Sequence, residues 1–266
     1  MFTRCVDQLE YLASPLLDTP HGFSTRLGGV SKGHLASLNL GCHRGDDEEN
    51  LRENYRRFCA ATGTDDSRMV MTNQVHGVAV RAVGEADIKA DLLDPTPFEA
   101  DGLTTDCPRI TLAIFSADCI PILLFDPVRR AIGACHAGWR GTAGAIAGAT
   151  VETMVSRYGC RPGDVRAAVG PGIGPCCYET DGDVPGAMLD ALGGLARAHI
   201  TRAGEKYHVD LKAINKAVLL AAGVAEAHID VSGACTCCQH ERYWSHRYTG
   251  GVRGSQAAAI MLEEGL

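Results

Sequence analysis

Three side chains of metal-ligating type stand at the edges of apolar runs in this 266-residue chain. His76 lies in Thr72-Asn-Gln-Val-His-Gly77, where one apolar segment ends and another begins. Cys119 lies in Ser116-Ala-Asp-Cys-Ile-Pro121, a small-residue turn between two apolar strands. His136 lies in Cys135-His-Ala-Gly-Trp-Arg-Gly141, at the exit of a strand and before a helix. Strand ends beside glycine turns are where a scaffold presents functional groups. A His, a Cys and a second His make a three-ligand zinc site whose fourth tetrahedral position stays open for water or substrate. The same residue types also allow a metal-free hydrolase, with Cys119 as nucleophile and His136 as base. Spacing does not choose between these, because the three residues are far apart in the chain.

Further chemistry is suggested next to His136. Gly138-Trp-Arg-Gly-Thr142 leads directly into a helix expected after Thr142. Free amides at a helix start and the donor fork of Arg140 make an anion site. Arg140 is therefore a candidate phosphate or carboxylate contact, the alternative being an ordinary surface ion pair. Asp118 is an acid–base candidate or a turn residue. Gly170-Pro-Gly-Ile-Gly-Pro-Cys-Cys-Tyr178 is an irregular loop that either lets backbone approach a ligand or forms a structural turn. Cys235-Thr-Cys-Cys238 resembles half of a zinc knuckle. No second CxxC or HxxxH follows at finger spacing, so no metal is expected there. Twelve cysteines in a long chain without a signal-like start read as free thiols or ligands rather than a disulfide framework. Cys5, Cys42, Cys59, Cys107 and Cys160 carry no chemical signal.

The elements that must position these groups are only partly periodic. Asp46-Asp47 caps a helix whose Leu51, Tyr55, Phe58, Cys59 and Thr62 share one face, and Gly63 stops it. A second helix follows Thr142 with Ala147, Val151, Met154, Val155 and Tyr158 on its stripe, ending at Gly159. A third follows Asp210 and ends at Gly223, and a weaker one covers 184–198. Strands are expected at 78–83, 110–115, 122–125, 131–135, 165–169 and 229–231, with hairpin-like pairing of neighbours. The continuous apolar runs among them fit strands buried on both faces. The pattern is α/β with a mixed sheet, one domain over 1–266, and it contains neither GxGxxG after a strand nor GxxxxGK[ST].

Composition bounds the function classes. Apolar residues make up 45% and charged residues 21%, which disfavours disorder. The formal net charge is −7 and no basic run exceeds two residues, so no nucleic-acid footprint is expected. No stretch approaches the roughly 20 apolar residues of a membrane span. The start MFTRCVDQLEYLASPLL lacks a long apolar run, so a cytoplasmic location is the expectation.

Taken together, TNQVHG, ADGLTTD, SADCIPILLFDP, CHAGWRGTAGAI, GPGIGPCCYE and CTCC followed by SHRYTGG resemble the YfiH or laccase-domain family. HGFSTRLGGVSKGHLASLNLG near the start is similar too, so the resemblance runs from about His21 to Ile260. Members carry the names polyphenol oxidase and purine nucleoside phosphorylase. The resemblance implies a single α/β/β/α layered domain, with His76, Cys119 and His136 as three zinc ligands. It implies phosphorolysis of adenosine, inosine and methylthioadenosine, deamination of adenosine, and nucleoside and phosphate as small-molecule partners. Zinc at an open site would activate water for attack at C6 of adenosine, and Arg140 is the expected phosphate contact. Related bacterial proteins are linked to editing of a cytoplasmic peptidoglycan precursor, which keeps the Cys/His amidohydrolase as an alternative. The ending SHRYTGGVRGSQAAAI is longer and less basic than the family's usual one, so Arg247 is not carried over as a ligand-binding residue. A copper-dependent laccase is the remaining alternative. A trinuclear copper cluster needs several His-x-His pairs, and this chain has none. Copper binds N/S donors more tightly than zinc, so its occupancy of the Cys/His site in vitro is compatible with a different native role.

Overall fold

The computed structural model describes residues 1–265. The first third supplies β1 (Phe2–Val6), β2 (Leu9–Ala13), β3 (His21–Ser24), α1 (Glu48–Thr62), β4 (Met69–Val70) and β5 (Val80–Ala82). The middle supplies β6 (Gly102–Thr105), β7 (Thr111–Ser116), β8 (Ile120–Asp126), β9 (Ala131–Ala137), α2 (Trp139–Ala143), α3 (Ile146–Tyr158) and β10 (Arg166–Val169). The last part supplies β11 (Glu179–Thr180), α4 (Asp183–Leu192), α5 (Gly194–Arg197), β12 (Ile200–Ala203), β13 (Lys206–Val209), α6 (Leu211–Ala221), β14 (Ile229–Val231), α7 (His246–Thr249) and β15 (Gln256–Met261).

Two six-stranded sheets carry the fold, ordered β1-β2-β3-β15-β7-β4 and β14-β10-β8-β9-β6-β5, beside a small sheet β11-β13-β12. Both large sheets are mixed. β4 runs parallel to β7, β5 to β6 and β14 to β10, while the central pairs are antiparallel. The β8–β9 hairpin pairs Ile120 with Ala137 through to Asp126 with Ala131, which sets His136 opposite Pro121.

Side-chain alternation explains how the layers stack. Along β8, Ile122 and Leu124 face α3 and α6, meeting Ile146, Val151, Met154, Ile214 and Val218. Leu123 and Phe125 point the other way, against Leu112, Ile114, Ala258 and Ile260 of the first sheet. The outer face of that sheet packs Tyr11, Ala113, Ala257 and Ala259 against Tyr55, Phe58 and Cys59 of α1. The result is α1, sheet, sheet, then α3 with α6, an α/β/β/α stack. Because β8 is covered on both faces, its sequence is continuously apolar rather than alternating. Each large side chain withdrawn from water contributes roughly 1.5–3 kcal/mol before entropy is counted.

The helix signals differ in how local they are. Asp47 Oδ1 accepts from the amides of Glu49 and Asn50, and Gly63 closes α1 at φ 76°, as the sequence predicts. The helix expected after Thr142 begins earlier. α2 starts at Trp139, Ala145 breaks the run at φ 57°, and α3 restarts at Ile146. The break coincides with a tight approach, since a Cβ on Gly144 would lie 2.3 Å from Val78 Cγ1. Pro121 is accommodated within β8, one residue beyond the last rung shared with β10. There its carbonyl accepts from Gly170 N.

Candidate active site

Strand geometry delivers two of the three candidate ligands. β9 carries His136 next to its carboxyl end, and the turn from β7 into β8 carries Cys119. The third, His76, sits on the 72–77 loop, which is clipped down in place of a strand. Gln74 Nε2 donates to Phe115 O at 2.7 Å and its Oε1 accepts from Phe115 N at 2.7 Å, so one side chain pairs with β7 as a backbone residue would. Asn73 N donates to Phe98 O and Ala100 N donates to Asn73 O.

Asp101, fully buried at the entrance to β6, ties the loop to β9. Its carboxylate accepts from the amides of Val75, His76 and Gly77 at 3.1, 3.1 and 2.7 Å. Its Oδ1 also lies 2.8 Å from His136 Nδ1, and its carbonyl accepts from His136 N at 2.7 Å. With Nδ1–H donating to Asp101, the Nε2 lone pair of His136 is left for a metal, the arrangement by which an outer carboxylate fixes a ligand's tautomer. His76 takes φ 61° and Asp118, the residue before Cys119, takes φ 87°, both left-handed. Backbone held in sparsely populated regions concentrates at functional sites.

The ligand atoms of His76, Cys119 and His136 lie within 4.8 Å of one another, and the two imidazoles meet edge to face at 4.8 Å between centroids. Gly138 leaves the space they share open. A Cβ there would stand 2.9 Å from His76 Cδ2 and 3.1 Å from Cys119 Sγ. Electrostatics agree with a cation site. Burial pushes the Cys119 thiol up, but His136 and His76 outweigh it and hold it at about 6, so a thiolate is present at neutral pH. One thiolate and two imidazoles suit zinc and other borderline or soft divalent ions.

These residues form one wall of a cavity of about 480 Å³, with Thr72, Gln74, Met71, Leu93, Phe115 and Ser116 around it. The cationic side chains at its lining are Arg44, Lys89 and Arg253, and sequence reasoning missed them. Arg253 Nη1 is spent on Gly254 O and Ser255 Oγ. Its Nε is buried without a partner among the described residues. Burial and the nearby Arg44 lower Arg253 to about 10, so it stays charged at neutral pH while poorly solvated. Arg44 and Arg253 thus bring two guanidinium groups to one cavity, a donor type that suits an anion.

Arg140, by contrast, does not line this cavity. It is exposed in the first turn of α2, its guanidinium carbon 4.2 Å from the Trp139 ring centroid. The amides beyond Thr142 are not free either, because Gly144 N donates to Arg140 O and Ala145 N to Thr142 O. Asp118 is committed to structure. Thr236 Oγ1 and Arg247 N donate to its two carboxylate oxygens at 2.6 Å each. Arg247 itself reaches the carbonyls of Cys177 and Glu179, both at 3.0 Å, and so braces the 170–179 loop. The structure brings Cys235 and Cys238 of CTCC to Cys176 and Cys177, whose sulfurs all lie within 4.8 Å, so tertiary folding places a second cysteine pair beside it that finger spacing does not.

Residues 20–263 match the family described as multi-copper polyphenol oxidoreductase laccase. A purine nucleoside phosphorylase of Deinococcus radiodurans is 42% identical over 254 residues, covering 96% of this chain and 93% of that protein. Adenosine deaminase RL5, from an unknown prokaryotic organism, is 34% identical over 252 residues, covering 92% and 94%. The crystal structure of YlmD from Geobacillus stearothermophilus superposes with a TM-score of 0.92 at 37% identity, covering 99% of both chains. A family match over nearly the whole length, with relatives well above 30% identity, means that the chain belongs to this laccase-domain family, the one that includes YfiH and YlmD.

Proposed function

We propose that the chain is a zinc-dependent purine nucleoside phosphorylase for adenosine, inosine and methylthioadenosine that also deaminates adenosine. The observation that carries this reading is the convergence of His76, Cys119 and His136 on the wall of a cavity that also holds Arg44 and Arg253. The names of the relatives point to the same chemistry.

Zinc held by the three residues supplies Lewis acidity, which brings water into the nucleophilic range near neutral pH. The rest belongs to the protein. Asp101 orients the His136 ring through Nδ1 and, through the three loop amides, fixes the position of His76. Phe115, Met71 and Leu93 offer the apolar surface on which a purine ring rests, and Ser116 Oγ, buried without a partner among the described residues, is free to meet a polar edge. In phosphorolysis a phosphate oxygen attacks C1′, the glycosidic bond breaks, and the departing base takes a proton. Arg44 and Arg253 hold that phosphate, with Arg140 at the bare start of α2 as the competing position. In deamination water replaces phosphate, so the guanidiniums have no anion to hold.

One observation also favours a second reading, the metal-free amidohydrolase. Cys119, His136 and Asp101 stand in the order nucleophile, base and orienting acid. One metal-analysed preparation separates the two. The expected result is release of hypoxanthine from inosine only with phosphate present, and loss of that activity on chelation with recovery on zinc. Zinc-loaded protein that releases no base overturns the phosphorylase reading, and amide hydrolysis that survives chelation supports the rival.

A further inference from the structure

The described residues contain a second cluster of metal-ligating side chains, outside the cavity. Cys176 and Cys177 come from the loop after β10, and Cys235 and Cys238 from the loop after β14. The closest sulfur pairs, Cys177 to Cys238 and Cys176 to Cys238, are 3.3 and 3.4 Å apart, and all four sulfurs lie within 4.8 Å. Metal–sulfur bonds of about 2.3 Å in a tetrahedron place sulfurs about 3.8 Å apart, so these thiols already stand near the spacing a zinc ion imposes. The surrounding backbone holds them there. Gly172 bridges to Cys235, Thr236 N donates to Gly172 O at 3.1 Å, and Gly174 N donates to Cys235 Sγ at 3.1 Å, a contact suited to a thiolate. The Cys235-x-x-Cys238 spacing is that of a zinc knuckle, and the vicinal pair completes the donor set.

We propose that Cys176, Cys177, Cys235 and Cys238 form a closed, structural zinc-thiolate site. With four protein ligands it has no open position, unlike the His76/Cys119/His136 site, so it binds metal without taking part in turnover. Its mechanical role follows from its neighbours. Thr236, inside the CxxC, holds the Asp118 carboxylate, and Ile173 N donates to Asp118 O. A metal that pins the two loops together therefore steadies the turn that presents Cys119.

Exposure makes the test direct, because Cys176 and Cys238 are exposed, as is Cys5 at the far end of the sequence. Wild-type protein purified under reducing conditions is treated briefly with iodoacetamide, with and without a zinc chelator, and its peptides are mapped. The expected result is labelling of Cys5 in both samples and of Cys176 and Cys238 only after chelation. Equal labelling of all three without chelator, or a disulfide within the cluster, overturns the proposal. A second measurement isolates the site from the catalytic one. Cys119→Ala protein should retain about one equivalent of zinc and, reloaded with cobalt, show the strong charge-transfer absorption of a tetrathiolate centre. Adding Cys235→Ser and Cys238→Ser should abolish both. Zinc retained by that triple variant refutes the cysteine site, whereas an empty His76/Cys119/His136 site leaves the labelling result untouched.

Discussion

Asp101 makes the largest single difference between a cluster of residues and a site. It is one buried carboxylate with four hydrogen-bond donors aimed at it, three of them from the loop that carries His76. Asp101→Asn keeps the shape, but it removes the charge and can present an N–H where acceptors are needed. Outer partners of metal ligands typically contribute 10- to 100-fold in affinity. Competition with a chromogenic chelator should show zinc affinity falling by about that factor, and an unchanged affinity would mean that the loop positions itself without Asp101. Gly138→Val tests the shared space. Its Cβ would press on His76 and Cys119, so metal should be lost while urea unfolding of the metal-free protein stays close to wild type. The three candidate ligands could be picked out in the sequence because each sits in a distinctive motif. Asp101 could not, because a single Asp opening ADGLTTD has no partner at fixed spacing, and Arg44 and Arg253 meet only through folding.

Elements divide along the same line between local and tertiary causes. α1 announces itself with a capping Asp47 and a closing Gly63, both chain-local signals. The start of α3 was misplaced because the break at Ala145 coincides with the approach of Val78, a contact no sequence window contains. β15 was missed for a different reason. Gln256-Ala-Ala-Ala-Ile-Met261 is Ala-rich and scores as helix by propensity, yet it lies between β3 and β7. There small side chains are what packing requires, since Ala257 and Ala259 let α1 lie close to the sheet. Large residues on the helix fill the remaining space. Phe58→Ala, at a fully buried position, should cost about 3–5 kcal/mol in urea unfolding. A loss below about 1 kcal/mol would mean that the site collapses to fill the cavity.

On the scale of the whole molecule, local and overall charge oppose each other. The chain carries 25 basic against 32 acidic residues, yet the cavity beside the three ligands is lined by Arg44, Lys89 and Arg253. The screening length is roughly 8–10 Å at physiological salt, so an entering phosphate responds to the guanidiniums rather than to the net charge of −7. Charge-assisted contacts contribute about 1.5–3 kcal/mol each, or roughly 10- to 150-fold in affinity. Arg44→Ala and Arg253→Ala should therefore each raise the KM for phosphate in inosine phosphorolysis by about that factor. Adenosine deamination, which uses no phosphate, should change far less in the same zinc-checked preparations. Added salt should weaken phosphate use in wild type and do so less in either variant. Arg140→Ala decides the position of the anion. If the anion sits between Arg44 and Arg253, this variant leaves the phosphate KM near wild type. A rise confined to Arg140→Ala would place it at the first turn of α2 instead. Parallel loss of both activities with zinc retained would assign the arginines to the nucleoside or the fold.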